Sequence, residues 1–381
     1  MKPQEPKILI TGATGFLGRN ILFRLLEKDK KHRFCLIVRG RKDKSPRDRI
    51  NAILNARYDL DQVKSFEKRI DLVLGDVTWR HFGMDDRAFS RLAYNVVQIV
   101  HAAATVSFSL PLDMARNINV GGTKNMLDFA AVAHQAKTLS RVDYVGTAYV
   151  AGRRNGLILE DELERGQGFN NTYEQTKHEA EKLVRERWKD VPVAIHRPSI
   201  IVGESTTGRT SSFNVLYFPL KLYARGIWRW VPGSPDTAVD IVPVDYVCDA
   251  LETISRDPGS VGKCYHLTAS QNATTVGQGA RMAQAYFGGK PVRFIPPKVY
   301  MNTIHRAADL FTFGRLHDTL MNKGALYLPY FMNQLRFDNR NTRAILEKQG
   351  LEAPKVGDYF ARIFQFCMDT DWGKNLAERE D

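Results

Sequence analysis

The stretch Thr11-Gly-Ala-Thr-Gly-Phe-Leu-Gly18 decides the fold because of what lies on either side of it. Before it, Lys7 to Ile10 is a short, mostly apolar run of the kind that forms a strand, and after it apolar residues recur at helical spacing from Ile21 to Leu26. A glycine-rich turn between a strand and a helix is the setting that a dinucleotide-binding fingerprint requires. The sequence therefore predicts a cofactor-binding turn after its first strand.

The glycines of this turn are spaced more widely than in the form Gly-X-Gly-X-X-Gly, but their physical role is the same. Without a Cβ atom the backbone can approach a pyrophosphate, and the N-terminus of the following helix supplies amide donors and positive dipole. A plain glycine turn is the alternative. The residues expected to contact the cofactor here are Thr11, Gly12, Thr14, Gly15, Phe16, Leu17 and Gly18.

Further apolar runs follow in the same rhythm, separated by helical stretches. They cover Cys35–Val38, Ile70–Leu74, Val96–Val100, Val142–Val145 and Val193–His196. Strands that alternate with helices in this way predict an α/β fold with a Rossmann-type, doubly wound parallel sheet.

After Gly203 the pattern changes to a stretch rich in glycine, proline and aromatic residues, and from residue 270 onward it is mainly helical. Between these parts, 239–269 has two short strand patterns, the first of them Val239–Val242, on either side of a helical one. We therefore predict two interleaved lobes. The Rossmann domain comprises 1–203 and 239–269, and a smaller, mostly helical substrate lobe comprises 204–238 and 270–381.

The composition is that of a globular protein with an excess of basic residues. Of 381 residues, 43% are hydrophobic and 25% charged, and the formal net charge is +13. This charge favours acidic partners such as anionic lipid, a phosphorylated cofactor or an acidic carrier protein. Neither arginine interleaved with aromatic residues nor zinc-ligand spacing accompanies it, so we predict neither nucleic-acid binding nor a metal site.

The cysteines and the apolar runs suggest a compartment. Cys35, Cys248, Cys264 and Cys367 are scattered without a Cys-X-X-Cys pair, and no signal peptide precedes the first strand. The longest apolar run, Val96–Ala104, is shorter than the roughly 20 residues that span a bilayer. We expect a cytoplasmic location and no transmembrane segment.

The end of the second strand indicates which dinucleotide binds. An NAD enzyme usually has an acid there, whereas this sequence has Arg39, and a guanidinium matches the 2′-phosphate of NADP(H). Arg41, Lys42 and Arg49 are helpers or solvated surface charges. Asp76, after the third strand, contacts the adenine or is a turn residue. The expected contacts of this group are Arg39, Arg49, Asp76 and Val77.

Tyr173 and Lys177 are four residues apart and therefore share one face of a helix. We expect the Lys177 ammonium to lower the pKa of Tyr173 from about 10, so that the phenol exchanges a proton at neutral pH. Thr147 follows the fifth strand. Because the carboxyl ends of parallel strands face the ligand crevice, we expect its hydroxyl to bind a substrate carbonyl, with a turn threonine as the alternative.

Together these motifs resemble an extended short-chain dehydrogenase/reductase of the thioester reductase and fatty acyl-CoA reductase group, also called the male-sterility group. The likeness covers roughly residues 5 to 270. Besides the glycine turn, it is carried by His101-Ala-Ala-Ala, Asn119-Val-X-Gly-Thr123, Arg197-Pro-Ser-Ile-Ile-Val-Gly203 and Val242-Pro-Val-Asp-Tyr-Val247.

The resemblance implies roles for individual residues. Thr147 and Tyr173 hold the substrate carbonyl, and Lys177 binds the nicotinamide ribose and tunes Tyr173. Asn119 completes a proton relay through water, or is a structural residue at a helix end. The nicotinamide side is lined by His101, Ala102, Ala103, Pro198, Ser199 and Ile200, although a lone histidine at a strand end is more often structural.

The activity that the resemblance implies is reduction of an acyl thioester by NADPH to an aldehyde, with further reduction to an alcohol left open. The acyl group is carried by coenzyme A or an acyl-carrier protein. The aromatic stretches Phe213–Trp230 and Tyr300–Phe331 form an acyl groove or the core of the second lobe. The tail aromatics with Lys298, Arg306 and Arg315 are alternatively a peripheral membrane contact.

Two other functions stay open. One is a dehydrogenase or reductase of a small ketone or hydroxyl substrate of flavonol, steroid or sugar-nucleotide type. Thr147 and the Val-Ala-Gly segment at 150–152 argue against the sugar-nucleotide epimerases among these. The other is a cofactor-binding regulatory or scaffold protein, against which the combination of Thr147, Tyr173 and Lys177 argues. The acyl chain and the oligomeric state are not predicted.

Overall fold

The computed structural model describes residues 5–41, 43–227, 230–296, 299 and 327–376. Within these residues the strands are β1 (Lys7–Thr11), β2 (Arg33–Val38), β3 (Ile70–Leu74), β4 (Val96–His101), β5 (Arg141–Val145), β6 (Gly156–Ile158), β7 (Val193–Pro198), β8 (Ile200–Val202), β9 (Trp230–Pro232), β10 (Ala238–Val239), β11 (Ile241–Pro243), β12 (Cys264–Leu267), β13 (Thr274–Thr275), β14 (Arg293–Ile295) and β15 (Leu335–Phe337). The α-helices are α1 (Phe16–Lys28), α2 (Pro46–Asn55), α3 (Leu60–Glu67), α4 (Asp86–Ala93), α5 (Leu112–Arg116), α6 (Gly122–Gln135), α7 (Thr172–Glu186), α8 (Tyr217–Ala224), α9 (Val244–Ser255), α10 (Val276–Phe287), α11 (Arg340–Leu346) and α12 (Phe360–Asp369).

Seven parallel strands form the main sheet, in the order β12-β7-β5-β4-β1-β2-β3. From β1 the chain first adds β2 and β3 on one side, and then β4 and β5 on the other. The strand order therefore reverses between β1 and β4, and ligands bind in the crevice beyond such a switch point. The α/β, Rossmann-type prediction is confirmed.

Alternating residues of the strands bury two separate apolar layers. Ile8 and Ile10 of β1 pack with residues of α1 and α9 in one cluster, whereas Leu9 between them packs with residues of α4, α6 and α7 in the other. Because successive side chains of a strand point to opposite faces, this alternation shows helices on both faces of the sheet. The sheet is thus held rigidly at the switch point.

A third apolar cluster joins segments that are distant in sequence. Tyr217 and Leu220 of α8 pack in it with Ile363 and Phe364 of α12. A short parallel pair, β6 with β15, also ties the C-terminal part of the chain to the region after β5. The apolar cluster associates 204–238 with the C-terminal part of the chain, the strand pair joins that part to 156–158 as well, and the lobe boundaries stay a prediction.

One predicted strand, Val239–Val242, is wrong in detail, because Asp240 separates β10 from β11. Its carboxylate accepts hydrogen bonds from the backbone N–H groups of Ala269 and Ser270, both at 2.8 Å. β11 pairs with β8 outside the main sheet, and β12 completes the main sheet as its edge strand. β12 therefore lies in the main sheet, and the assignment of 239–269 to the Rossmann domain stays a prediction.

Some residues that the sequence predicts for the cofactor site, the acyl groove or the membrane contact lie outside the part of the chain that the structure describes. Those outside the described residues are Lys42, Trp228, Lys298, Tyr300, Arg306, Phe311, Phe313, Arg315 and Leu326. The membrane contact built on three of them stays a prediction. Within the described part of the chain, none of the helices combines the length and the apolar character needed to cross a bilayer.

Candidate active site

The candidate site lies at the switch point of the sheet. β1 ends at Thr11 and β4 ends at His101, and these two residues are partners in the parallel ladder. The glycine turn leaves β1 at this edge, and β5 ends beside it at Val145. The sequence-predicted cofactor turn and the residues after β4 and β5 are therefore brought to one edge.

The glycine turn is packed directly against the chain that leaves β4. Gly12 has a φ of 75°, and a Cβ atom on it would lie 2.6 Å from the Ala103 nitrogen and 2.7 Å from the Ala102 carbonyl carbon. A Cβ on Gly18 would overlap the backbone carbonyl of Gly12. Both positions therefore require glycine for a close backbone approach.

The N-terminus of α1 fits a pyrophosphate. The helix begins after Gly15, which has no side chain to cap it, and its first turn has no acidic residue. The backbone N–H groups and the positive end of the helix dipole therefore point toward the turn without a competing carboxylate. Thr14, Phe16 and Leu17 form this corner, as the sequence predicts.

Arginine side chains crowd the end of β2. The Arg49 guanidinium donates to the Arg39 carbonyl at 2.7 Å and to Thr14 Oγ1 at 2.9 Å. Burial, together with repulsion from Arg41, Arg39 and Arg19, lowers the pKa of Arg49. A bound anion would relieve this repulsion, so the cluster fits a 2′-phosphate.

The structure gives Asp76 a clear local role. Its carboxylate accepts from the Thr78 N–H and the Thr78 hydroxyl, both at 2.9 Å, and lies 3.8 Å from the Arg39 guanidinium. This geometry is a turn stabilised by its own side chain, which supports the turn interpretation. Val77 packs against α6, and its carbonyl accepts from Asn125 at 2.8 Å. Adenine contact by either residue stays a prediction.

Thr147 and Tyr173 are brought together from two distant segments. Thr147 follows β5, and Tyr173 lies in the first turn of α7, whose N-terminus is capped by the Asn171 side chain. Thr147 is buried and Tyr173 is partly buried, and the Thr147 side chain is close enough to the phenol to affect its pKa. The Thr147 hydroxyl also donates to the Pro198 carbonyl across 3.5 Å, a long bond that a better acceptor can replace.

The expectation that Lys177 lowers the pKa of Tyr173 is wrong for this geometry. Burial raises the pKa of Tyr173 to about 12, although the hydrogen bond with Thr147 opposes the rise. The Lys177 ammonium instead donates to the Val145 carbonyl at 2.7 Å and the Tyr144 hydroxyl at 3.1 Å. Burial lowers the pKa of Lys177 to about 8. At neutral pH Tyr173 is therefore a neutral phenol that donates a hydrogen bond.

Asn119 lies in a π-helical turn, Asn117–Gly121, between α5 and α6. Its carbonyl oxygen accepts from the Thr105 N–H at 2.8 Å, and its amide donates to the Thr105 carbonyl at 3.2 Å and the Thr176 hydroxyl at 2.9 Å. The side chain thus ties the loop after β4 to α7. This favours the structural interpretation, and the water relay stays a prediction.

His101 is held as a neutral side chain. Its Nδ1 lies 2.8 Å from the Thr11 hydroxyl and its Nε2 lies 3.5 Å from the Thr123 hydroxyl. Burial, with a smaller contribution from the Lys177 charge, lowers the pKa of His101 to about 3. The N–H groups of Ala102 and Ala103 bond to Thr11 as well. The ring therefore has a structural role in this arrangement.

Pro198, Ser199 and Ile200 lie where β7 gives way to β8, beside Thr147. The Ser199 N–H donates to the Leu267 carbonyl at 3.3 Å, and its hydroxyl is buried near the Asp240 carboxylate, whose pKa burial raises. Asp240 was not predicted. The three predicted residues thus share the sheet edge with the catalytic candidates.

An aromatic wall lies next to the phenol, formed by Tyr330 from the predicted aromatic stretch and by Phe108, which was not predicted. The Phe108 ring stacks on Tyr173 with centroids 5.9 Å apart and on Tyr330 at 5.5 Å. The Tyr330 hydroxyl donates to the buried Glu174 carboxylate at 2.7 Å. Glu174 could have been found as the third residue of α7, where a carboxylate caps the helix. The loop position of Phe108 gives no such signal.

Tyr330 also borders a small cavity of about 10 Å³. Its lining includes the side chains of Tyr149, Tyr330, Asn170 and Asp240. Polar and aromatic groups therefore surround the inner side of the candidate site.

Comparison with known proteins gives a consistent set of relatives. The family described as "Male sterility protein" matches residues 10–251. "Fatty acyl-CoA reductase wat" of Drosophila melanogaster is 26% identical, with 97% of this chain and 81% of that protein covered. "Non-canonical nonribosomal peptide synthetase cpsA" of Aspergillus campestris is 29% identical, with 70% of this chain and 26% of that protein covered. The chain spans about a quarter to a half of the length of several curated relatives that it matches.

Solved structures agree with this. The terminal R domain from the myxalamid PKS-NRPS biosynthetic pathway has a TM-score of 0.81 and 27% identity, covering 100% of this chain and 94% of that one. A UDP-glucuronic acid 4-epimerase from Bacillus cereus in complex with NAD has a TM-score of 0.67 and 16% identity, covering 97% and 99%, and shows the shared fold alone. The resemblance drawn from the sequence motifs is confirmed.

Proposed function

The chain belongs to the male sterility protein family, and on that premise we propose that it is an NADPH-dependent reductase that converts an acyl thioester to an aldehyde. Its family makes it an oxidoreductase of the extended short-chain dehydrogenase/reductase type. The observation that carries the finer proposal is the meeting of Thr147 with the Tyr173 phenol at the sheet edge where the glycine turn lies.

A nicotinamide cofactor is supported by the family and by the glycine turn at the N-terminus of α1. The phosphorylated form is favoured by the arginine cluster at the end of β2, where Arg39 and Arg49 lie with Arg41. The pyrophosphate would rest on the N-terminus of α1 and the ribose of the nicotinamide on Lys177. A 2′-phosphate would neutralise part of the positive charge of these arginines, which otherwise repel one another.

When bound, NADPH supplies the hydride that adds to the thioester carbonyl carbon. Tyr173, a neutral phenol at pH 7, donates a hydrogen bond and then a proton to the carbonyl oxygen as negative charge develops there. Thr147 gives up its long hydrogen bond to the Pro198 carbonyl and donates to the same substrate oxygen instead. As the carbon–sulfur bond then breaks, the hydroxyl proton returns to Tyr173, the thiolate leaves and takes a proton from solvent, and an aldehyde remains.

The acyl group and its carrier are proposed from the surroundings of the phenol. Phe108 and Tyr330 offer apolar ring surface beside Tyr173, which suits the first carbons of an acyl chain. The net charge of +13 favours an anionic carrier, either coenzyme A or an acidic carrier protein. The names of the relatives, a fatty acyl-CoA reductase and a terminal R domain, support both choices.

The proposal is tested by incubating the full chain with NADPH and a panel of acyl-CoA and acyl-phosphopantetheine thioesters, with products identified by mass spectrometry. We expect NADPH consumption with release of free thiol and an aldehyde. Small ketones of steroid and flavonol type serve as the comparison panel. If a ketone is turned over and no thioester is, the protein is a ketone reductase and the proposal is wrong. If NADPH binds and no substrate is turned over, the protein is a cofactor-binding scaffold and the proposal is also wrong.

A further inference from the structure

Lys177 is held in place by a tyrosine on the neighbouring strand. Its ammonium donates to the hydroxyl of Tyr144, a fully buried residue of β5, and lies 4.6 Å from the centre of the same ring. A second N–H group bonds to the Val145 carbonyl. An ammonium has three N–H groups, so these two contacts orient the third toward a ligand.

The hydroxyl of Tyr144 has a fixed direction. The Thr123 hydroxyl lies beside it and opposes the rise that burial causes in the pKa of Tyr144, and the Tyr144 ring stacks on the His101 ring with centroids 6.0 Å apart. Thr123 in turn lies 2.6 Å from the Asn119 carbonyl oxygen, to which it must donate because a carbonyl has no proton to give. The ammonium of Lys177 can likewise only donate to Tyr144. The proton of the Tyr144 hydroxyl therefore points to Thr123.

The same network continues to the cofactor turn. Because the Thr123 proton is used, His101 Nε2 must carry a proton to bond to Thr123, which leaves Nδ1 to accept from the Thr11 hydroxyl. Thr11 then accepts from the Ala103 N–H at 3.3 Å. Thr11, His101, Thr123 and Tyr144 are all at most 1% exposed. The network ends one residue before Gly12.

We propose that Tyr144 is a positioning residue, which sets the Lys177 ammonium relative to the cofactor turn through Thr123, His101 and Thr11 before any cofactor binds. This inference rests on the proposed function in one respect, the assignment of Lys177 to the nicotinamide ribose. The network is a scaffold rather than a proton wire, because it ends on the Asn119 carbonyl and the Ala103 N–H.

The loss of the Tyr144 hydroxyl has a defined consequence for cofactor affinity. In Tyr144→Phe the ammonium keeps the Val145 carbonyl and the ring face, but loses one of its two oxygen acceptors and regains side-chain freedom. A hydrogen bond to a charged group changes an equilibrium by about tenfold or more. We therefore expect NADPH and NADH to bind about tenfold more weakly, since both contain the nicotinamide ribose.

The pH course of binding separates positioning from general destabilisation. The charged form of Lys177 faces the Tyr144 hydroxyl and His101 from the sheet and Glu181 from its own helix, on which Tyr173 lies one turn earlier. Removing an acceptor disfavours the ammonium and lowers the pKa of Lys177, which is about 8 in the intact protein. The loss of affinity with rising pH should therefore begin roughly one pH unit lower in Tyr144→Phe.

The experiment is fluorescence titration of the full chain with NADPH and NADH between about pH 7 and pH 9, which brackets the lysine. Tyr265→Phe is the matched control, since it removes another buried tyrosine hydroxyl, one that bonds to the Ser260 carbonyl. The inference is overturned if Tyr144→Phe binds NADPH and NADH with the same affinity and the same pH dependence as Tyr265→Phe.

Two further variants keep the test decisive. If Tyr144→Phe does not fold, Thr123→Val removes the acceptor of the Tyr144 hydroxyl without a change of shape, and should weaken binding in the same direction, with recovery in Thr123→Ser. If Thr123→Val binds like the intact protein, the scaffold is not used. Lys177→Ala tells the two proposals apart: full affinity in this variant contradicts the ribose assignment, whereas weak binding there with normal binding in Tyr144→Phe contradicts the inference alone.

Discussion

Arg39 and Arg49 should decide the preference for NADPH over NADH. The two cofactors differ by the 2′-phosphate alone, so titrating both isolates the free energy contributed by that group. A charge-assisted hydrogen bond contributes about 1.5–3 kcal/mol, or about ten- to a hundredfold in affinity. The Arg39 side chain is 66% exposed and therefore screened by solvent and salt, so its contribution should lie at the lower end of this range.

The two arginines should differ in how they affect NADH. Arg39→Ala is expected to weaken NADPH binding about tenfold and to leave NADH unchanged. Arg49→Ala should weaken NADPH at least as much and NADH about two- to threefold, because its guanidinium also holds Thr14 of the glycine turn and the Arg39 carbonyl.

The assay is equilibrium fluorescence titration at low and at physiological salt. Arg47→Ala is the matched control, since Arg47 is an exposed cation on α2, the helix that also contains Arg49. The reasoning is refuted if Arg39→Ala weakens both cofactors equally, or if Arg47→Ala reduces NADPH affinity as much as Arg39→Ala does.

Three predictions concern stability. Gly18→Ala should cost at least about 2 kcal/mol, seen as a lower Tm, because its Cβ overlaps the Gly12 carbonyl, and an unchanged Tm would contradict the close approach. Glu181→Gln should cost about 3–5 kcal/mol in urea denaturation because it leaves the guanidinium of Arg197 buried without its carboxylate, whereas the partly exposed Glu179→Gln should cost about 0–1 kcal/mol. Burial alone would raise the pKa of Glu181, but its arginine partners lower it. Glu181 therefore stabilises the fold fully above the unfolded pKa of about 4.3. The difference in unfolding free energy between Glu181→Gln and the intact protein should shrink in acid. Asn119→Ala should cost about 1–3 kcal/mol by the same assay, while unchanged stability with lost turnover would favour the water relay.

The glycine turn and the strand order could be predicted because both depend on local pattern. A turn between a strand and a helix is visible over fifteen residues or so, and alternating elements leave few parallel topologies. The rule for strand ends placed Thr147 at the ligand crevice, whereas its meeting with Tyr173 was implied by the family resemblance.

The pKa of Tyr173 could not be predicted from its spacing to Lys177. Helical spacing puts the two side chains on one face, but which oxygen the ammonium chooses depends on β5, where Tyr144 and Val145 offer acceptors. The rise to about 12 comes from burial, which depends on the packing of the whole site.

Asn119 and Phe108 show the same limit for loops. The amide of Asn119 is occupied by the backbone of Thr105, a residue in an irregular segment whose course no periodicity reveals. Phe108 lies in that segment too, and its stacking on Tyr173 depends on Tyr330 from the far end of the chain. Tertiary contacts of this kind are absent from any local pattern.

The central claim, that Tyr173 assists hydride transfer to a thioester carbonyl, is tested most directly with NADPH dideuterated at its hydride-donating carbon. Mass spectrometry of the aldehyde formed from an acyl-CoA should show one deuterium on the carbonyl carbon. The labelled aldehyde should be nearly abolished in Tyr173→Phe and retained in Tyr265→Phe. An aldehyde without deuterium, or full labelled product from Tyr173→Phe, would contradict the account.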